Sequence, residues 1–190
     1  APLLDKKDIK ERYIFRRSVD TRHKTVTVVC SVAVVTDKVI PAEKLAALGC
    51  AVLEEGDPMD GLVPGGEISD GRPVIVGFGP CGMFAALILA EMGYRPIVIE
   101  RGDHVLARAA KVRHFLSTGE LDTETNIQFG AGGAGTFSDG KLVTRINDRR
   151  CRYVLERFAQ FGAPREILMN AKPHIGTDRL LGVVAGIDSR

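Results

Sequence analysis

Hydrophobic and polar positions follow two different periods along this chain, and the change of period divides it. From Thr25 to Val35 the sequence TVTVVCSVAVV places Val26, Val28, Cys30, Val32 and Val34 on one face at period two, which predicts a strand. Tyr13, Phe15 and Val19 alternate similarly, interrupted by Arg16 and Arg17. Pro41 followed by AEKLAAL predicts a short helix with proline in its first turn. These elements make a small α+β unit over residues 1–53, too short for a generous core and expected to lean on a neighbour.

Residues 54–72, EEGDPMDGLVPGGEISDGR, carry five glycines and two prolines in a mainly acidic background. Such a stretch holds no regular element, and it predicts a linker or long surface loop. Beyond it, over residues 73–190, the order becomes strand, helix, strand, helix. Pro73–Val76 and Pro96–Ile99 read as short apolar strands, and Met83–Met92 as a largely apolar helix stopped at Gly93. Asp103 is placed to cap a helix whose Val105, Ala109, Val112 and Leu116 follow helical spacing up to Gly119. Asp148 is placed to cap a further helix over Arg149–Phe161. Strands alternating with helices predict an α/β domain on a parallel sheet.

Composition narrows the classes. The 190 residues are 45% hydrophobic and 26% charged, a globular mix that excludes collagen-like, coiled-coil and disordered chains. No apolar run approaches the roughly 18 residues needed to cross a bilayer, so no membrane partner is expected. The opening APLLDKKDIKER has charges where a signal peptide needs an apolar core. Cys30, Cys50, Cys81 and Cys151 lie far apart with no CxxC pair, which fits a reducing compartment, and the cytoplasm is the expected location. The net charge of +2 is too small to imply a polyanion partner. Residues 1–24 do carry eight Lys/Arg against four acids, yet no aromatic RNA-binding set accompanies them, so a nucleic-acid partner is not expected.

The unusual count is glycine, 21 residues, and its clusters carry the chemistry. Gly77-Phe78-Gly79-Pro80-Cys81-Gly82 is a GxGxxG between the strand PVIV and an apolar helix, the context in which that string has meaning. Gly77 suits the tight turn, and Gly79 lets backbone approach a pyrophosphate. Gly82 and Ala86 let helix and strand pack closely, while free N–H groups at the helix start meet the anion. Glu100, 18 residues past Gly82, ends the strand PIVIE, where a carboxylate can accept the hydroxyls of an adenosine ribose. It would repel the 2′-phosphate of NADP. Between NAD and FAD these residues are nearly silent.

The second cluster, Phe129–Leu142, reads FGAGGAGTFSDGKL and can present several backbone N–H groups to an anion or a flat ring. With it the sequence resembles a known family. VIVGFGPCGMFAALILAEMGYRPIVIERG followed by NIQFGAGGAGTFSDGKL is similar to the bacterial FAD-dependent dehydrogenases (FAD-utilising flavoproteins), whose FAD domain is of the glutathione-reductase type. The RRSVDTRHK segment and KPHIGTD extend the similarity over most of the chain. The resemblance implies a doubly wound, three-layer FAD/NAD(P)-binding domain and oxidoreduction through flavin, with NAD(P)H a candidate electron donor. It implies that Gly77, Gly79, Pro80, Cys81, Gly82, Glu100 and Arg101 line the adenosine and pyrophosphate site. Gly132, Gly133, Gly135 and Thr136 would continue it toward the ring.

Members of that family are normally more than twice this length, so the chain reads as an incomplete N-terminal portion that works with a C-terminal remainder. The closing strand with its late Gly-Asp segment has no counterpart here. An NAD-binding dehydrogenase domain and a non-catalytic dinucleotide-binding module remain the alternatives. The catalytic residues and the small-molecule substrate are not legible. Cys81 has no partner cysteine nearby and reads as a packing residue, while His174 in KPHIGTD reads as part of a helix entry, with a catalytic place near the flavin the minority alternative. His23, His104 and His114 read as solvated, and no set of residues has metal-ligand spacing.

Overall fold

The computed structural model describes residues 4–53, 56–63, 71–146 and 148–190, and it is a mixed α/β structure. β1 (Glu11–Asp20) and β2 (Thr27–Val35) form an antiparallel hairpin running from Glu11 opposite Val35 to Asp20 opposite Thr27. Its register shifts between Ile14 and Arg16, skipping Phe15, as a β-bulge does. The valine stripe predicted from the alternation is there, but it is not buried: Val26, Val28, Val32 and Val34 are exposed. The hairpin meets the rest of the chain at one edge. Arg17 donates its N–H to Met169 at 2.7 Å and accepts that of Ala171 at 2.9 Å.

A short helix, α1 (Ala42–Ala47), follows Pro41. Of the expected linker over 54–72, residues 54, 55 and 64–70 lie outside the described residues. The described part includes a turn closed by Asp60 N–H on Asp57 and Leu62 N–H on Met59, and the Asp60 carbonyl accepts from Arg149 at 2.9 Å.

β3 (Val74–Val76) and β4 (Ile97–Ile99) pair in parallel, Val74 with Ile97 through Val76 with Ile99, and α2 (Pro80–Glu91) connects them. This is a βαβ unit, the connection parallel strands require. Both strands keep apolar residues exposed, Val76 at 82% and Val74 at 57%. The three-layer doubly wound arrangement expected from the sequence would require further strands beside these two. α2 starts at Pro80, earlier than predicted, because a proline lacking its N–H is at home in a first turn.

α3 (Val105–Thr118) ends at Gly119, whose φ of +80° is the left-handed stop the sequence predicted. Its start differs from expectation. The helix begins after His104, and the Asp103 carboxylate goes to Lys111 at 2.7 Å instead of capping. α4 (Arg150–Gln160) begins one residue late, with Asp148 still accepting the Arg150 N–H at 2.8 Å. α5 (Thr177–Asp188) supplies the centre of the core through Leu180, Val183, Val184 and Ile187. Met83 of α2, Val105 of α3, Phe158 of α4 and Ala131 pack around it. Each such apolar side chain contributes about 1.5–3 kcal/mol by leaving water. No helix among the described residues is long and apolar enough to cross a membrane.

Candidate functional site

The chain leaves β3 and enters α2 through Gly77, Phe78 and Gly79. Gly77 has φ +93° and donates to the Ile99 carbonyl at 2.7 Å, extending the parallel pairing while turning the backbone as only glycine does readily. A methyl group on Gly82 would overlap the Gly77 carbonyl oxygen, so glycine is what lets the first turn of α2 lie on the end of β3. A methyl group on Gly79, in contrast, would meet no atom within 4 Å. The space beside Gly79 is open, and α2 begins there with N–H groups of Cys81 and Gly82 that have no acceptor within the helix. The Cys81 side chain is exposed and so does not pack in the core.

Glu100 closes β4 and turns its carboxylate back on the glycine turn. One oxygen accepts the Phe78 N–H at 2.6 Å and the other the Gly102 N–H at 2.9 Å. A carboxylate has about four lone-pair positions, so roughly half remain for a further donor. Arg101 is engaged elsewhere: its guanidinium meets Glu124 at 3.0 Å and lies 4.8 Å over the Phe129 ring. A cavity of about 200 Å³ opens beside Glu100, lined also by Val98, Gly102, His104 and Asp188. Two of these lining residues pair, His104 Nδ1 lying 2.8 Å from the Asp188 carboxylate.

The second glycine segment comes to this same place. Gly132 donates its N–H to the Phe78 carbonyl at 2.7 Å, and Ala131 donates to Asp103 at 3.1 Å. A methyl group on Gly133 would stand 3.0 Å from Pro80 and 3.4 Å from the Gly79 α-carbon. Thr136 is 1% exposed and its hydroxyl is without a hydrogen-bond partner, lying where a side chain on Gly132 would fall. Gly135 is at the surface, its carbonyl taken by the Ser138 hydroxyl at 2.7 Å. The KPHIGTD segment runs alongside: Ile175 donates to Gly140 at 3.0 Å and Leu142 to Pro173 at 2.9 Å, with His174 exposed.

Thus Gly77, Gly79, Pro80, Gly82, Glu100, Gly132, Gly133 and Thr136 converge, while Cys81, Arg101 and Gly135 lie at the surface of that cluster. The arrangement leaves open space beside Gly79 and unused lone pairs on Glu100, while the Thr136 hydroxyl is enclosed behind Gly132.

One participant was not anticipated. Arg108 of α3 is 0% exposed, and five carbonyls accept from its guanidinium: Asn126, Ile127, Gly130, Ala131 and Gly133, at 2.7–3.2 Å. Burial pushes its pKa below the usual arginine value and the Glu100 charge pulls it back up, but a guanidinium stays protonated in proteins. A signal existed. Arg108 stands three residues after Val105 and four before Val112, a charge in phase with the buried stripe of its helix.

Nearby, Lys111 holds both Asp103 and Asp122 at 2.7 Å. Lys111 and the N–H groups of Thr125 and Glu124 hold the Asp122 carboxyl down at about 2. Among the described residues no group of three or more His, Cys, Asp or Glu is arranged to hold a metal ion.

No family model matches the chain. A protein of Clostridium beijerinckii described as an uncharacterized protein is 46% identical over 189 residues, covering 97% of this chain and 35% of the relative. The chain therefore spans little more than a third of that relative's length.

Proposed function

We propose that the cleft beside Glu100, where the two glycine segments meet, binds FAD and that the chain supplies the FAD-binding portion of an oxidoreductase. The observation that carries this reading is the meeting of Gly132 and Gly133 with Phe78, Gly79 and Pro80 beside Glu100. The amino end of α2, with its uncapped N–H groups and positive dipole end, suits a diphosphate. Glu100 has acceptor capacity left for ribose hydroxyls, and its charge disfavours a 2′-phosphate. Gly132 and Gly133 bring the second glycine segment against the Phe78–Pro80 turn. Bound flavin would supply the hydride and electron chemistry, and the protein the binding and electrostatics. The exposed apolar side chains of β3 and β4 are the kind of surface that the helix layers of a doubly wound domain would cover. A longer polypeptide, as in the Clostridium relative, would complete the domain, with NAD(P)H as electron donor.

The test is a visible absorption spectrum of the protein after incubation with FAD and desalting, on this chain and on the full-length relative. Retained flavin that is lost in Gly79→Val, with its melting temperature unchanged, supports FAD binding. Full-length protein that takes up no FAD but binds NAD is an NAD-binding dehydrogenase domain instead. Flavin that is bound but never reduced by NADH or NADPH points to a non-catalytic dinucleotide module.

A further inference from the structure

Arg108 is the largest fully buried side chain among the described residues, and its charge has no carboxylate at ion-pair distance. Burying a cation without an anion is costly unless hydrogen bonds satisfy every donor. Here backbone carbonyls accept from all three guanidinium nitrogens. Nε donates to Asn126 at 2.8 Å and Nη2 to Ile127 at 2.8 Å. Nη1 reaches Gly130, Ala131 and Gly133 at 3.2, 2.7 and 2.8 Å. The Phe137 ring covers the guanidinium at 4.8 Å.

This arrangement has a directional consequence. In a trans peptide the N–H points opposite to the C=O. Turning the Gly130 and Ala131 carbonyls onto Arg108 therefore turns the Ala131 and Gly132 N–H groups away from it, and they are the groups that bond Asp103 and Phe78. The glycines permit the approach: a methyl group on Gly130 would come within 2.6 Å of the Arg108 side chain.

We propose that Arg108 is the positioning residue of the cleft, fixing the second glycine segment against the Phe78–Pro80 turn so that a dinucleotide diphosphate meets a preformed site. This deepens the dinucleotide reading and rests on it for the ligand. Arg108 itself is enclosed by its carbonyls and need not touch ligand. The role belongs to the fork geometry and not to the charge alone, because a lysine ammonium at the same place cannot reach five carbonyls spread around a plane.

The test compares wild type, Arg108→Lys and Arg108→Gln by hydrogen exchange and by FAD titration of the full chain. In both variants amides 126–136 should exchange faster while those of β3, α2 and β4 keep their protection, and FAD affinity should fall about tenfold or more. Arg108→Lys with wild-type loop protection and affinity overturns the proposal. Should both variants fail to fold, wild type decides. A segment held from within has slow Ala131 and Gly132 amides without ligand, and fast exchange there overturns it. Should wild type take up no FAD while the variants still loosen 126–136, Arg108 positions the segment and it is the FAD reading that falls.

Discussion

The backbone N–H of Phe78 donates to a carboxylate oxygen of Glu100 at 2.6 Å, across 22 residues of sequence. The acid placed to receive a ribose thus also fastens the turn that would receive the diphosphate. Because its second oxygen takes the Gly102 N–H at 2.9 Å, Glu100 ties the exits of both parallel strands together.

Glu100→Gln should therefore act twice. An amide offers one oxygen and one NH₂, so either Phe78 or Gly102 is left with its N–H facing another donor. Stability should fall by about 1–3 kcal/mol, read by urea denaturation of the ligand-free protein. FAD affinity should fall by about 1–2 kcal/mol beyond that, read by flavin fluorescence. A variant unchanged in both measurements would remove Glu100 from the site.

Gly79 and Gly82 should separate binding from folding. A side chain at Gly79 has open space, so Gly79→Val keeps the wild-type melting temperature and loses the ligand. One at Gly82 overlaps the Gly77 carbonyl, so Gly82→Ala should lose about 1–3 kcal/mol of stability with or without ligand. Equal melting temperatures for the two variants would show that α2 does not lie this close to β3.

The Asp122 carboxyl gives a pH dependence of definite sign. Its pKa is depressed from 3.8 to about 2 in the folded chain, first by Lys111 and then by the Thr125 and Glu124 N–H groups. A depressed carboxyl stabilises the fold above its unfolded pKa, and that contribution disappears as pH falls through the folded value. The loss should fall between pH 3.8 and about 2, and Asp122→Asn should flatten the stability profile over that window. Identical profiles for variant and wild type below pH 4 would contradict the Lys111 contact.

Tyr153 of α4 donates its hydroxyl to Glu91 of α2 at 2.8 Å and packs edge-on to Phe84 with ring centroids 6.4 Å apart. Tyr153→Phe keeps the ring contact and removes the bond to a carboxylate, and should cost about 1.5 kcal/mol in denaturant unfolding. No measurable change would mean that the Arg157 pairing with Glu91 at 2.9 Å and the apolar contacts hold α4 to α2 without the Tyr153 hydroxyl.

Local elements were readable because their causes are local. The period of Val26 through Val34 predicted a strand, Gly93 and Gly119 predicted helix ends, and GxGxxG between a strand and a helix predicted a tight βα turn. Where the reading slipped, a longer-range partner had intervened. Asp103 pairs with Lys111, two helical turns on, instead of capping α3. The hairpin shows the other limit, since an alternating pattern specifies two faces but not what covers either one.

The sequence by itself determined the mixed α/β order, the βαβ turn and the two glycine segments, because periodicity and glycine spacing act within a few residues. Only the tertiary structure decided that those segments meet. It decided too that Thr136 is buried without a partner and that Arg108, which helical spacing alone leaves looking like a misplaced charge, gathers five carbonyls of a loop. A buried cation finds its compensation wherever the chain can bring backbone oxygens to it, and no window of sequence contains both ends of that contact.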